Sequence, residues 1–309
     1  MPADAPQFWL MTATVSAPLC LLTIHAHPDD EASKGSATVA KYAAEGVRTV
    51  LVCCTGGEAG EVLNKAMDRP EVVANLAAIR AQELEASVAA IGYTAVHLLG
   101  YHDSGMPDTE WNQRPDNFHN APMDQAVGKL VAIIRAERPQ VVITYADGRA
   151  GYAHPDHLRV HDISGPAFEA AGDPNQYPDR GDPWQPLKLY YIGGAMSAKR
   201  MQALTQLYEA MGEENPFAQW QARRRERGLP EMRPDTVTTL IDVGDFLGVR
   251  RAALLAHRTQ IDPEGAWMRI PDDALRTAFP WDEYELARSL VENRVPEGEL
   301  ERDLFAGIR

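Results

Sequence analysis

Short apolar runs alternate with longer amphipathic stretches along most of the chain. Residues 47–54, with the sequence VRTVLVCC, form a nearly continuous β-branched run, which is typical of a strand in a parallel sheet covered on both faces. The stretches between such runs carry apolar residues three and four positions apart, a spacing that predicts helices. The pattern predicts strands at 21–25, 47–54, 95–99, 140–145, 187–192 and 237–243, and helices at 32–45, 71–91, 123–138, 157–171, 199–211, 246–258 and 283–291.

This alternation of strands and helices predicts the fold class. It indicates an α/β protein with a Rossmann-like, mostly parallel sheet and helices on both faces. No stretch of the 309 residues has the composition of a linker between two domains. We therefore expect a short N-terminal extension at 1–20 and a single α/β domain at 21–309, whose part from about 187 to 309 is a C-terminal α+β elaboration.

The composition limits the partners and the compartment. The net charge is −14, which argues against nucleic acid or an acidic membrane surface, because phosphate binding needs a basic face. Cys20, Cys53 and Cys54 form no CxxC pattern and no paired framework, which favours a reducing compartment. No apolar run reaches 18 residues, and no lysine or arginine precedes Lys34. We therefore expect neither a membrane span nor a signal peptide, and a cytoplasmic location; the sequence indicates no oligomeric state.

Ionisable residues are concentrated directly after the first four predicted strands. The segments are HPDDE at 27–31, GGEAGE at 56–61, HDS at 102–104 and YAHPDH at 152–157. In open α/β sheets, ligands bind outside the carboxyl ends of the strands. A solvated acidic turn would explain one such segment alone. Four of them at one edge of the sheet indicate a functional site.

Two of these segments share a spacing that suits a metal ion. HPDD at 27–30 and HPDH at 154–157 both place an ionisable residue three positions after a histidine. At the start of a helix, residues i and i+3 lie on one face, and proline suits the first turn. His27 and Asp30 can therefore converge, and His157 can reach the same point. Two imidazoles and a carboxylate are the ligands of a catalytic zinc site, and they also suit iron(II).

The remaining polar residues of these segments are candidates for acid–base and electrostatic roles. Asp29 must point away from its neighbour Asp30, and a carboxylate close to a metal and its water is placed to be a general base. His154 can, as an imidazolium, stabilise an oxyanion or protonate a leaving amine, and Tyr152 can donate a hydrogen bond there. His25 and Glu31 have no assigned chemistry and are candidates for supporting the ligands.

These segments resemble the zinc-dependent deacetylases of the LmbE/PIG-L type. The resemblance is carried by HAHPDDE at 25–31, TGGEAGE at 55–61, DSG at 103–105 and GYAHPDH at 151–157. Within that family the chain is most similar to the mycothiol S-conjugate amidases. That similarity rests on Lys34, GDPW at 181–184, KLYY at 188–191, AHRTQID at 256–262 and LFAG at 304–307.

The resemblance implies roles for the site residues. It implies zinc on His27, Asp30 and His157. It also implies Asp29 as the general base and His154 as the electrostatic or acid partner.

The resemblance also implies a substrate that carries an acylated glucosamine. Glu61, Arg80 and Asp103 match positions that bind sugar or inositol hydroxyls. Lys34 stands where the related inositol-sugar deacetylases usually carry a smaller residue, so it is placed to meet a bulkier acyl group; a solvated lysine on a helix face is the alternative. His257 is interpreted either as a residue at the edge of the pocket or as a structural histidine.

The expected activity is metal-dependent hydrolysis of the amide on a glucosamine nitrogen. The favoured substrate is a small-molecule S-conjugate of mycothiol or a related thiol, cleaved in detoxification. The first alternative is deacetylation of an N-acetylglucosaminyl precursor in the biosynthesis of mycothiol or bacillithiol. A non-catalytic sugar or nucleotide binder is less favoured, because the glycine-rich segment 56–60 is neither GxGxxG nor a Walker motif and would put carboxylates where phosphate binds.

Overall fold

A computed structural model describes most of the chain and divides it into seven strands and eleven α-helices within the described part. The described residues are 18–149, 153–192, 197–213, 215, 216, 218, 222, 225, 226, 228, 236–292, 295, 296 and 298–309, without the side chains of 266 and 267. The strands are β1 Cys20–His25, β2 Arg48–Thr55, β3 Ala95–Tyr101, β4 Val141–Tyr145, β5 Lys188–Ile192, β6 Thr239–Asp242 and β7 Trp281–Ser289. The helices are α1 Asp30–Ser33, α2 Ser36–Ala44, α3 Pro70–Val73, α4 Leu76–Ile91, α5 Glu110–Gln113, α6 Met123–Glu137, α7 Pro155–Gly172, α8 Ala198–Met211, α9 Leu247–Ala256, α10 Ala266–Arg269 and α11 Asp272–Ala278.

The strands form one mixed sheet in the order β3-β2-β1-β4-β5-β7-β6. Strands β1 to β5 are parallel, and β7 is antiparallel to both β5 and β6. The chain moves from β1 to one edge at β3 and then returns to β4 on the other side of β1. Because crossovers between parallel strands are right-handed, this reversal puts α2 and α4 on one face and α6 and α7 on the other. The predicted α/β class with a mostly parallel sheet is confirmed.

The reversal of strand order between β1 and β4 positions the site. Both strands are buried along their whole length, and their central residues Leu22 and Val142 are paired in the centre of the sheet. After these two parallel strands the chain continues towards opposite edges of the sheet, which opens a crevice at their carboxyl ends, where ligands of such folds bind. The HPDD and HPDH segments follow these two strands.

The predicted helix at 283–291 is wrong, because this stretch belongs to the antiparallel strand β7. Leu286 pairs with Tyr190 of β5, and Tyr284 pairs with Thr239 of β6. The sequence ELAR at 285–288 is rich in residues that favour helices. Hydrogen bonding to strands on both sides and the burial of Tyr284 outweigh that local preference.

Two predicted helices are each interrupted. The stretch 32–45 forms α1 and α2, with Gly35 between them at φ 88°, a conformation that favours glycine. The stretch 71–91 forms α3 and α4, which are separated at residues 74–75. The apolar spacing is the same on both sides of each break, so it does not reveal where the helix is interrupted.

The end of the chain is bound to the sheet by buried polar contacts. The ammonium group of Lys188 and the hydroxyl of Tyr190 both contact the carboxylate of Glu301, and Thr239 Oγ1 donates to Glu301 Oε2 at 3.0 Å. Residues 187–309 thus contribute three strands to the same sheet as residues 21–145. Within the described part of the chain, the helices are too short or too polar to cross a membrane.

Candidate active site

The loops after β1 and β4 bring the three predicted metal ligands together. Asp30 Oδ2 lies 3.4 Å from His27 Nδ1 and 3.2 Å from His157 Nε2. The candidate donor atoms of these three residues all lie within 4.8 Å of one another. Two imidazoles and one carboxylate at this spacing fit zinc or iron(II).

The loop after β1 reaches this arrangement through a turn rather than through a helix face. Helix α1 begins only at Asp30, because Asp29 has φ 106° and cannot continue a right-handed helix. The backbone N–H of His27 donates to Asp30 Oδ2 at 3.0 Å and closes the turn. The predicted helical placement of His27 and Asp30 is therefore wrong. In the second loop it is confirmed: α7 begins at Pro155, directly after its N-cap His154.

The environment of Asp30 is suited to a cation. Its side chain is 4% exposed, and besides the two imidazoles it contacts the ammonium group of Lys34. Burial alone raises the pKa of Asp30, but His157 and Lys34 outweigh this and hold that pKa well below its usual range. An ionised, buried carboxylate facing two imidazoles is a ligand group that a divalent cation would complete.

Asp29 lies beside the cluster and is held from two sides. Its carboxylate remains 27% exposed, and Oδ2 accepts a hydrogen bond from Arg80 at 2.9 Å. Its backbone N–H donates to Glu31 Oε2 at 2.9 Å, which stabilises the unusual φ of Asp29. Burial, followed by the charge of Asp30, raises the pKa of Asp29 to about 6. A carboxylate with a raised pKa beside a candidate metal centre is suited to proton transfer near neutral pH.

Glu31 and His257 form a fully buried pair below Asp29. His257 Nε2 lies 2.6 Å from Glu31 Oε1, and both side chains are 0% exposed. Burial alone raises the pKa of Glu31, but the hydrogen bonds from His257 and Ser87 outweigh it and lower that pKa. Glu31 is a predicted support for the ligands, and His257 is predicted either at the pocket edge or as a structural histidine; the structure buries the two residues together, where Glu31 holds the backbone of Asp29.

Arg80 is buried under the glycine-rich loop. Its guanidinium donates to Gly57 O at 2.6 Å and to Pro28 O, in addition to Asp29. Only 3% of the Arg80 side chain is exposed. The guanidinium group of Arg80 therefore joins the loop after β1 to the loop after β2.

We expect Gly57→Ala to destabilise the protein more than Gly46→Ala. Both glycines have positive φ, which costs an alanine about 1–2 kcal/mol. A Cβ at Gly57 would lie 2.5 Å from the guanidinium carbon of Arg80, whereas nothing lies within 4 Å of a Cβ at Gly46. Overpacking adds about 1–3 kcal/mol at Gly57 only. Urea unfolding of both variants measures the difference; equal losses would contradict the close packing of Arg80.

The second loop contains a residue that sequence reasoning missed, Asp156. Its Oδ2 lies 3.1 Å from His27 Nε2 and accepts from the backbone N–H of Ser104 at 2.9 Å. The signal was present: Asp156 occupies the same place in HPDH as Asp29 does in HPDD. His27, His154 and Asp156 form a second set of donor atoms within 4.8 Å of one another.

His154 caps helix α7 and is electrostatically disfavoured as a cation. Its Nδ1 accepts from the backbone N–H of Asp156 at 3.2 Å. Burial, followed by the charge of His27, lowers the pKa of His154 to about 3. A neutral imidazole that accepts at Nδ1 carries its proton on Nε2.

The other predicted site residues lie at different distances from the cluster. Asp103 is buried, with Oδ1 3.7 Å from His27 Nε2. Glu61 is exposed, and its carbonyl oxygen accepts from Gln260 Nε2 at 3.0 Å. Lys34 contacts Asp30, as described above, so it is not simply a solvated lysine. Tyr152 lies outside the described residues.

Comparison with known proteins identifies the family of the chain. Residues 22–168, which include both histidine-containing loops, match the family described as PIG-L: GlcNAc-PI de-N-acetylase. The fold resembles that of an N,N'-diacetylchitobiose deacetylase from Pyrococcus horikoshii, with a TM-score of 0.59, 18% identity, and coverage of 90% of this chain and 87% of that one.

Two relatives match almost the whole chain. A mycothiol S-conjugate amidase of Streptomyces coelicolor is 43% identical over 296 residues, 94% of this chain and 98% of the relative. A 1D-myo-inositol 2-acetamido-2-deoxy-alpha-D-glucopyranoside deacetylase of Geodermatophilus obscurus is 39% identical over 297 residues, 93% and 97% of the two chains. The fold, the site and these relatives define a hydrolytic enzyme. The chain belongs to the PIG-L/LmbE family, and the predicted resemblance is confirmed.

Proposed function

We propose that this hydrolase cleaves the amide between a glucosamine nitrogen and the acyl group of a mycothiol S-conjugate. The observation that carries the proposal is the convergence of His27, Asp30 and His157 beside the carboxylate of Asp29. The 43% identity to an S-conjugate amidase over 94% of the chain supports this choice of amide. We place the activity on a small-molecule thiol conjugate in the cytoplasm, within one catalytic domain.

The metal site and the general base have different roles in the reaction: the first activates the carbonyl and water, and the second transfers the proton. Zinc, or iron(II), held by His27, Asp30 and His157 would supply a Lewis acid that polarises the carbonyl and lowers the pKa of water. Asp29 accepts a proton as water adds to the carbonyl carbon. It delivers that proton to the glucosamine nitrogen as the C–N bond breaks, which leaves a carboxylic acid and an amine. Arg80 fixes the orientation of Asp29 through Oδ2.

The oxyanion is stabilised by hydrogen-bond donors. His154 is neutral, because its Nδ1 accepts a backbone N–H and its pKa is lowered, so it donates through Nε2–H rather than acting as an imidazolium. Tyr152 is proposed as a second donor. Asp103 and Glu61 are proposed to bind sugar or inositol hydroxyls, and Arg80 contributes to that surface by holding residues 28 and 57 in place.

The competing function is removal of an acetyl group from an N-acetylglucosaminyl inositol in thiol biosynthesis. The 39% identical deacetylase supports it over a similar share of the chain. An assay of metal-loaded enzyme on bimane-labelled mycothiol and on the N-acetyl sugar separates the two functions. We expect kcat/KM to be higher for the conjugate by about tenfold or more. A preference of that size for the acetyl substrate would overturn the assignment as an S-conjugate amidase.

Lys34→Ser is expected to impair conjugate cleavage selectively. A hydrogen bond from a charged donor to the acyl group contributes about 1.5–3 kcal/mol, so kcat/KM for the conjugate should fall roughly 10- to 100-fold while that for the acetyl sugar changes less. Metal content is measured in parallel, because Lys34 also contacts Asp30. The control is Lys41→Ser, since Lys41 lies on the next helix and pairs with Glu45. Equal losses on both substrates would show that Lys34 does not read the acyl group.

A further inference from the structure

A cavity of about 630 Å³ is lined in part by Lys34, whereas none of the three candidate metal ligands lines it; we call it the Lys34 cavity. Ser33 and Lys34 form its wall next to the site, and the other walls come from Leu63 and from residues of 200–275. Most of its lining therefore lies outside residues 22–168, which match the family as a whole. The ammonium group of Lys34 contacts Asp30, so one side chain borders both the metal cluster and the cavity.

The lining favours a neutral, apolar occupant. Its apolar residues include Leu204, Leu247, Leu254, Met268, Ile270 and Leu275. The three arginines of the lining each contact a carboxylate: Arg251 with Asp272 at 2.8 Å, Arg200 with Glu283 at 3.6 Å, and Arg250 with Asp282. Because these carboxylates already neutralise the arginine charges, the cavity has little electrostatic attraction for an anionic ligand.

The size of the cavity separates the two candidate acyl groups. Pockets that enclose small organic molecules measure about 300–1,000 Å³, and the Lys34 cavity lies within this range. An acetyl group has three heavy atoms and would leave almost all of that space to water. An acyl group that carries a sulfur-linked alkyl or aryl substituent would bury that substituent against the leucines.

We propose that the Lys34 cavity binds the apolar substituent on the sulfur of a thiol conjugate. This proposal rests on the proposed function and extends it. With the amide carbonyl at the metal cluster, the acyl chain passes Lys34 and directs its sulfur substituent into the cavity. Bulky, neutral substituents are therefore the preferred substrates, and affinity rises with the apolar area that they bury.

The test replaces a residue that lines the cavity with a larger one, and the same replacement at a neighbouring residue of that helix is the control. Leu254 of α9 lines the cavity, whereas Leu255 is 39% exposed and does not belong to the lining. Leu254→Trp should raise KM for the bimane conjugate about tenfold and change that for an S-methyl conjugate much less. Leu255→Trp should change neither. Leu275→Phe, from the opposite helix α11, repeats the test if Leu254→Trp unfolds.

A binding measurement keeps this inference separate from the proposed function. The fluorescence of N-acetyl-S-bimanyl-cysteine reports binding to the metal-loaded enzyme without turnover. We expect saturable binding that Leu254→Trp weakens about tenfold and Leu255→Trp does not. If the enzyme cleaves only the acetyl sugar but shows this binding pattern, the cavity proposal stands and the amidase assignment fails. The cavity proposal is overturned if the bimane compound does not bind, or if Leu254→Trp and Leu255→Trp weaken its binding equally. It is also overturned if Leu254→Trp raises KM equally for the bimane and the S-methyl conjugates.

Discussion

Replacing Asp29 with asparagine should preserve the metal content and lower kcat by about 10²- to 10⁴-fold, the usual contribution of a general base. Asparagine keeps the size of the side chain, can still accept the hydrogen bond from Arg80, and tolerates the positive φ of this position. It cannot accept a proton from water. Metal analysis and steady-state kinetics on the same preparation measure both expectations.

The matched control for this variant is Asp108→Asn. Asp108 also has a positive φ, 68°, but it is exposed in the loop before α5. Its substitution should leave both metal content and kcat unchanged. Near-normal turnover by a metal-loaded Asp29→Asn enzyme would refute the assignment of Asp29 as the base. Loss of metal from that variant would instead make Asp29 a contributor to the metal site.

His257→Ala should lower the free energy of unfolding by about 3–5 kcal/mol, because it leaves the carboxylate of Glu31 buried without its imidazole partner. The same variant should lower kcat, since Glu31 holds the backbone N–H of Asp29. Urea unfolding measures the first effect. Adding Glu31→Gln to His257→Ala should recover part of the lost stability by removing the unpaired charge.

A partly exposed pair, whose carboxylate keeps Arg48 as a second partner, provides the control for His257. His97 Nε2 lies 2.8 Å from Glu137 Oε1, but the His97 side chain is 33% exposed, so His97→Ala should cost only about 0–1 kcal/mol. If His257→Ala costs no more than His97→Ala, the buried pair does not support the loop as we infer.

The pH dependence of this effect follows from the two pKa shifts. The pKa of His257 is raised above 6.5, because the interaction with Glu31 outweighs the effect of burial. The stability that this shift gives the folded protein is therefore complete below pH 6.5 and declines as the pH rises through the raised pKa. The pKa of Glu31 is lowered below 4.5, so its contribution is complete above pH 4.5 and declines as the pH falls through the lowered pKa. The difference in the free energy of unfolding between the protein and His257→Ala should therefore be largest between pH 4.5 and pH 6.5.

Local patterns were sufficient to predict most of the fold and the convergence of the ligands. The apolar runs that become β1 and β4 are continuous because both strands are buried on both faces. The ionisable residues that follow these strands could be assigned to one sheet edge because parallel strands end on the same side. Strand β7 could not be recognised, because its helix-favouring residues are outweighed by pairing with strand residues at least 39 positions away in sequence.

The supporting contacts of the site were less accessible to sequence reasoning. Nothing near Arg80 in the sequence indicates that its guanidinium reaches the backbone at Pro28 and Gly57. The positive φ of Asp29 depends on the carboxylate of Glu31, and that carboxylate depends in turn on His257. Contacts of this kind form only when distant segments pack, and a periodic pattern carries no information about them.

The pairing of Glu31 with His257 also sets the order in which a nascent chain can complete its active centre. The two residues are 226 positions apart. A ribosome-bound chain that has emerged only as far as residue 168 already holds all three ligand residues, but the buried carboxylate beneath Asp29 still lacks its imidazole. Contacts of such long range form late and slow the folding of the domain. Fragments that end before residue 257 should therefore be poor substitutes for the full chain.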